Sequence, residues 1–90
     1  MDTAPGSTFK PEIDVRLFAA ARLIAGSVVV VRAADVSEVR ARLSAQFGDC
    51  MARVLSVSGI WVNGEPASDS HRLASNDEVA VIPPVSGGCR

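Results

Sequence analysis

The architecture of this 90-residue chain follows from residues 35–48, which read DVSEVRARLSAQFG. The apolar residues recur three, four and four positions apart and therefore share one face of a helix; they are Val36, Val39, Leu43 and Phe47. Asp35 is the predicted N-cap, and Glu38 completes a variant of the capping box. Gly48 is expected to end the helix.

Two short strands are predicted before this helix. Residues 13–18 alternate between apolar and polar side chains, and residues 28–31 are four consecutive valines. These patterns are typical of strands, and we expect the two to pair. The alanine-rich residues 18–25 between them favour a short helical turn that ends at Gly26.

Two or three more strands are predicted after the helix. Residues 60–62 and 65–67 flank Asn63-Gly64, a pair that favours a type I′ hairpin turn. Residues 78–82 predict a buried strand. A hairpin, a crossover helix and further strands indicate an α+β fold of the β-grasp (ubiquitin-like) type, with a mixed sheet and one main crossover helix.

The chain length allows one domain. Ninety residues lie below the usual range of about 100–150 for a domain, which excludes a two-domain enzyme. We expect a flexible lead-in over residues 1–12, the β-grasp domain over 13–82 and an extended tail over 83–90.

Charge and hydropathy exclude several classes of partner. The formal net charge is −1, which argues against nucleic-acid binding. No run approaches the roughly 18 apolar residues of a membrane span, and the first residues lack the features of a signal peptide. We therefore expect a cytoplasmic protein without membrane or nucleic-acid partners.

Arg40 and Arg42 fall away from the apolar helix face and are expected to be solvated.

Residues that could carry chemistry within the domain are few. His71 is the only histidine, and no Cys or His spacing supplies the ligands that zinc needs, so no metal site and no bound cofactor are expected. Cys50 and Cys89 are expected to be free thiols, with Cys50 inert beneath the sheet. The adjacent residues 69–71, Asp-Ser-His, cannot point at one another as a hydrolase triad must.

The C-terminus carries the most distinctive pattern. Pro83 and Pro84 remove two backbone donors directly after the last predicted strand and stiffen the exit of the chain. Val85, Ser86, Gly87 and Gly88 follow, and two glycines form a thread narrow enough to enter a tunnel. This tail is therefore predicted to insert into a partner.

The ending Asn-Asp-Glu-Val-Ala-Val-Ile-Pro-Pro-Val-Ser-Gly-Gly at residues 76–88 resembles that of the ubiquitin-like sulfur-carrier family. The opening Val-Arg-Leu-Phe-Ala-Ala-Ala-Arg at residues 15–22, followed by Gly26, is most similar to the small subunits of molybdopterin synthases. Asn76 stands where the family commonly has glycine, and because asparagine tolerates the left-handed conformation we expect no change of fold.

The resemblance implies a carrier in which Gly88 is the reactive residue. An ATP-using, ubiquitin-activating-like adenylyltransferase would adenylate its carboxylate, which would then become a thiocarboxylate. A large catalytic synthase subunit would receive the tail and transfer the sulfur to a pterin precursor. Phe18, Pro66 and Ile82 occupy positions of the family's apolar docking face, although ordinary packing explains these three residues equally well.

Cys89 and Arg90 depart from the family pattern because they follow the diglycine. As translated, Gly88 is held in a peptide bond and has no free carboxylate to adenylate. We therefore expect a protease to remove Cys89-Arg90 before activation. Cys89 as a resolving or acyl-accepting thiol is a weaker alternative.

Three other functions stay open at this point. The chain could carry sulfur to thiamine, cysteine or another metabolite. It could be a ubiquitin-like modifier joined through Gly88 to target lysines. It could also be a β-grasp adaptor with an inert tail.

Overall fold

The computed structural model describes residues 10–84. Its strands are β1 (Glu12–Leu17), β2 (Val28–Arg32), β3 (Gly59–Val62), β4 (Glu65–Pro66) and β5 (Glu78–Ile82). Its helices are α1 (Ala19–Ala25), α2 (Val36–Phe47) and α3 (Asp49–Ser56). Within the described range, no helix is long and apolar enough to cross a membrane.

The five strands form one mixed sheet in the order β2-β1-β5-β3-β4. Strands β1 and β5 run parallel in its centre, and the other neighbours are antiparallel. A parallel pair needs a long crossover between its strands, and α2 and α3 lie within that connection. The predicted α+β, β-grasp fold is confirmed.

The helices cover only one face of the sheet. The alternating residues of four strands point into the core with the apolar sides of the helices; the strand residues are Ile13, Val15, Leu17, Val29, Val31, Ile60, Val62, Val79 and Val81. Strand β5 is therefore half-buried, with Glu78 and Ile82 exposed, rather than fully buried as its apolar run predicts. Its outer side chains lie on the uncovered face.

The predicted cap of α2 is confirmed, and the crossover holds a second helix that the sequence pattern did not reveal. Asp35 Oδ1 accepts a hydrogen bond from the Glu38 N–H at 2.9 Å. After Gly48 the chain forms α3, whose Met51, Val54 and Leu55 are buried. With eight residues, α3 is too short for its periodicity to be distinctive.

Arg40 is not simply solvated, which corrects the sequence-based prediction. Its Nε donates to Asp69 Oδ1 at 2.8 Å, and its terminal nitrogens donate to the carbonyl oxygens of Leu55 and Ser58. Its side chain is 26% exposed, against 49% for Arg42. The difference arises because α3 packs beside α2 and ends next to Arg40.

The prediction of a free, buried thiol at Cys50 is wrong. Cys50 is disulfide-bonded and only partly buried on α3. A sequence pattern carries no information on which sulfur atoms come together, because this depends on the tertiary approach of the chain. The prediction for Cys89 lies outside the described residues.

Candidate functional site

The candidate site begins where β5 leaves the sheet. Strand β5 ends at Ile82, after which Pro83 is buried and Pro84 is exposed. The prolines therefore follow the last sheet pairing directly. The other tail residues predicted from the sequence lie outside the described range; they are Val85, Ser86, Gly87, Gly88, Cys89 and Arg90.

Two of the predicted docking residues lie together at this exit. Phe18 is 44% exposed and Ile82 is 41% exposed. The Phe18 N–H donates to the carbonyl oxygen of Val81 at 3.3 Å, which places Phe18 beside the end of β5. Ile82 pairs across the sheet with Gly59 of β3. Both large side chains therefore lie next to the root of the tail.

Pro66, the third predicted docking residue, connects to them through Trp61. Trp61 is paired with Pro66 on one side and with Ala80 on the other. Its indole Nε1 lies 3.5 Å from the position that a Cβ on Gly59 would take, so the ring extends along the strand toward the Ile82 pair. Phe18, Trp61, Pro66 and Ile82 form what we call the apolar patch.

Trp61 is the member of this patch that the sequence reasoning missed. It is 37% exposed, and it is the only tryptophan of the chain. The signal was present in the alternation of β3, where Ile60 and Val62 point inward and Trp61 must therefore point outward. A tryptophan left on an open face suits protein recognition, because it offers a large apolar area with one polar N–H.

The opposite end of the open face is charged. Arg16 of β1 forms an ion pair with Glu78 of β5. Asn63 Oδ1 accepts from the Glu78 N–H at 2.9 Å, and its Nδ2 donates to Asp77 Oδ1 at 3.0 Å. These contacts hold the start of β5, so the face is polar where β5 enters and apolar where it leaves.

The Asp77 carboxylate orders the turn before β5. Its Oδ2 accepts from the Ala74 N–H at 2.8 Å. This hydrogen bond and that from Asn63 keep the pKa of Asp77 below its ordinary value. Asn76 adopts φ of 76°, as expected from its tolerance of the left-handed region.

The site thus combines the apolar patch with Pro83-Pro84, the residues that leave the sheet after β5. No group of three or more side chains that could hold a metal ion occurs within residues 10–84. The apolar patch itself contains no ionisable side chain, so it can bind an apolar surface and has no acid or base to contribute. Reactive chemistry at this site would have to come from the tail or from a partner.

The model of the ThiS family matches residues 15–88. The chain belongs to the ThiS family. No curated protein sequence matches it significantly. The family match confirms the resemblance of this sequence to the ubiquitin-like sulfur carriers.

Two solved structures show what this ThiS-family chain is similar to. SAMP1 from Haloferax volcanii is 31% identical, with a TM-score of 0.73, over 86% of this chain and 99% of its own. The complex of subunits 1 and 2 of the molybdopterin-converting factor from Helicobacter pylori contains a chain that is 28% identical, with a TM-score of 0.64 and the same coverage. The fold is therefore shared with a molybdopterin-converting factor and with SAMP1.

Proposed function

We propose that this ThiS-family chain carries sulfur as a C-terminal thiocarboxylate and donates it in the synthesis of molybdopterin, as the small subunit of the synthase. The observation that carries the proposal is that the family match ends at Gly88, two residues before the end of the chain. The apolar patch at the root of the tail is the second support. Gly88 is thus the proposed reactive terminus.

The chemistry requires a free Gly88 carboxylate. One of its oxygens attacks the α-phosphorus of ATP on an adenylyltransferase, which releases pyrophosphate and forms an acyl-adenylate. A donor of sulfide-level sulfur then attacks the acyl carbon, the C–O bond to AMP breaks and AMP leaves, and the product is the thiocarboxylate. The carrier supplies the terminus, and its partners supply the acids and bases.

The large synthase subunit is the proposed receiver of the tail. The Helicobacter pylori structure, a complex of two molybdopterin-converting subunits, supports such a partner. In this proposal the apolar patch packs on the large subunit, and Pro83-Pro84 direct Val85, Ser86, Gly87 and Gly88 into its active site. The charged pair of Arg16 and Glu78 borders the apolar patch on one side, and polar residues beside an apolar centre are usual in such interfaces.

Cys89-Arg90 must be removed before this chemistry. A protease that cuts after Gly88 would free the carboxylate. ATP is consumed by the activating enzyme, and the carrier itself needs no bound cofactor.

A ubiquitin-like modifier is the second candidate, favoured by the similarity to the small archaeal modifier protein 1 of Haloferax volcanii. In that case the activated Gly88 carbonyl is attacked by a lysine amine, and an amide bond forms instead of a thiocarboxylate. Both functions need a matured Gly88. They differ in the nucleophile that displaces AMP from the acyl-adenylate: a sulfur donor in one and a lysine amine in the other.

The intact mass of the protein from its own host tests the proposal. We expect a species that ends at Gly88, part of it heavier by the difference between sulfur and oxygen. Covalent adducts with other proteins would instead support the modifier. Full retention of Cys89-Arg90 in every molecule would contradict both.

An in vitro assay provides matched controls. A chain truncated after Gly88 should support pyrophosphate release with the host's adenylyltransferase, whereas the full chain should not. The truncated chain with Gly88→Ala tests the need for an unbranched thread, and we expect it to lose transfer. Equal activity of the truncated and full chains would rule out the processing step.

A further inference from the structure

The two edges of the sheet differ in how they are protected. Strand β4 is two residues long and consists of Glu65 and Pro66. A short edge with a charge and a proline is poorly suited to pairing with another chain. Strand β2, at the other edge, has five residues, four of them valine, and contains neither proline nor lysine.

The outer side of β2 offers regularly spaced backbone groups. The Ser27 carbonyl oxygen accepts from the Leu17 N–H at 2.9 Å, and the Ala33 N–H donates to the Pro11 carbonyl oxygen at 3.2 Å. These odd-numbered positions face β1, so the N–H and C=O groups of Val28, Val30 and Arg32 face outward. In the part of the chain that the structure describes, no strand pairs with that side.

The side chains along this edge form two different surfaces. Val28 and Val30 are 48% and 54% exposed on the open face of the sheet. On the helix side, a cleft of about 400 Å³ lies between β2 and α2; its lining is Val30, Val31, Arg32, Arg42, Ala45 and Gln46. Side chains alternate along a strand. An added strand would therefore place every second side chain beside Val28 and Val30 and the remaining side chains in the cleft.

Two arginines beside this edge favour an acidic occupant: Arg42 of α2 in the cleft, and Arg32 of β2 on the open face of the sheet. Arg32 lies 3.4 Å from Glu12 and Arg42 lies 3.6 Å from Glu38, so neither arginine makes a short ion pair. Each guanidinium carries five N–H donors and keeps some of them for another carboxylate. A second copy of this chain would bring the same two arginines to the shared edge, which disfavours self-pairing.

We propose that β2 binds an extended segment of a partner protein, with alternating β-branched and acidic residues, as a sixth strand of the sheet. Main-chain hydrogen bonds at Val28, Val30 and Arg32 supply affinity, and Arg42 in the cleft supplies selectivity for an acidic side chain. Strand β1 separates this edge from Ile82 on β5, and β1 and β5 together separate it from Trp61 and Pro66. The inference therefore does not depend on the proposed sulfur-carrier function.

The test is an NMR titration of the full chain with a blocked peptide, Gly-Val-Glu-Val-Glu-Val-Gly. The peptide sequence reads the same in both directions, so its side chains have the same order in parallel and in antiparallel pairing with β2. We expect the amides of Val28, Val30 and Arg32 to shift and to exchange more slowly with solvent. The inward-facing Val29 and Val31 should gain little protection. The same peptide with lysine in place of glutamate should bind at least threefold more weakly.

Two variants separate backbone pairing from simple surface contact. Val30→Pro removes an outward N–H at an edge where proline is sterically allowed, and it should abolish the added protection. Val30→Thr keeps the N–H and the branched shape and should retain it. Arg42→Gln should weaken binding about threefold while leaving the fold intact, which provides a second test if Val30→Pro does not fold.

Three outcomes would overturn the proposal. One is a peptide response confined to the Trp61 amide and its neighbours. Another is equal binding of the acidic and basic peptides. The third is protection of Val28, Val30 and Arg32 that grows with protein concentration in the absence of peptide, since the occupant would then be a second copy of the chain.

Discussion

At the scale of single residues, Asp35 shows how one side chain sets the start of the crossover. Its Oδ1 accepts hydrogen bonds from the Glu38 N–H and, at 2.7 Å, from the Ser37 hydroxyl. Glu38 in turn accepts from the Ala34 N–H at 2.9 Å. In this variant of the capping box, one bond satisfies the Glu38 N–H of the first helical turn, and the other satisfies the Ala34 N–H just before the N-cap.

Removing the Asp35 carboxylate should destabilise the domain. We expect Asp35→Ala to lower the free energy of unfolding by about 1 kcal/mol, because the Glu38 N–H loses its acceptor. Asp35→Ser should recover most of the loss, since a hydroxyl also caps. Urea denaturation of the three proteins measures the difference, and an unchanged midpoint for Asp35→Ala would refute the role of the cap.

The same cap predicts an acid-dependent loss of stability. The Ser37 hydroxyl and the Glu38 N–H lower the pKa of Asp35 below its ordinary value of 3.8. A carboxyl with a lower pKa in the folded state stabilises that state above its ordinary pKa, and this contribution disappears as the pH falls through the folded pKa. The Lys10 ammonium and the Ala34 N–H lower the pKa of Glu38 in the same direction.

We therefore expect the stability difference between the natural chain and Asp35→Asn to shrink on acidification from about pH 5 to below 3.8. Asparagine still caps the helix but does not titrate in this range. Chemical denaturation at a series of pH values gives the result. A difference that stays constant across this range would show that Asp35 makes no linked contribution.

At the scale of elements, Arg40 connects parts of the chain that the helical pattern alone would leave separate. From α2 it contacts the end of α3 through Leu55, the following residue Ser58, and the loop residue Asp69. It therefore holds the crossover against the loop that leads to β5.

Arg40→Ala should cost about 2 kcal/mol of unfolding free energy, since partly buried carbonyl groups lose a charged donor. Arg42→Ala is the matched control, two positions away on the same helix; its exposed pair with Glu38 should change stability by less than about 0.5 kcal/mol. Thermal or urea unfolding distinguishes them. Equal effects of the two substitutions would mean that the Arg40 contacts contribute no more than a surface ion pair.

At the scale of the whole molecule, the apolar patch is accessible because, within residues 10–84, no helix covers that face of the sheet; its proposed role is docking on the large synthase subunit. We expect Trp61→Ala to weaken binding to the large synthase subunit at least tenfold, about 1.4 kcal/mol or more, as is usual for a central aromatic residue. Isothermal titration calorimetry gives the affinity, and circular dichroism checks the fold.

Leu23→Ala is the control for Trp61→Ala. Leu23 is 89% exposed on α1, on the side of the sheet that the helices cover. Its removal deletes exposed apolar surface outside the apolar patch and should leave the affinity unchanged. Equal losses of affinity in the two variants would show that the apolar patch contributes no more to docking than other exposed apolar surface does.

Local patterns in the sequence were sufficient for the elements whose signals are short-range. The alternation of β1, the cap and periodicity of α2 and the Asn63-Gly64 turn, with φ of 52° and 87°, each depend on neighbouring residues. Their order along the chain is enough to predict a β-grasp, because few topologies connect a hairpin, a helix and further strands.

Only the tertiary structure determines which residues that are distant in sequence lie side by side. It placed Phe18, Trp61, Pro66 and Ile82 on one face, turned Arg40 toward α3 and paired the sulfur of Cys50. Among the described residues, it also left the outer side of β2 without a paired strand. Such features depend on which segments approach one another in space, and the covering of a single sheet face by the helices is what separates buried from available side chains.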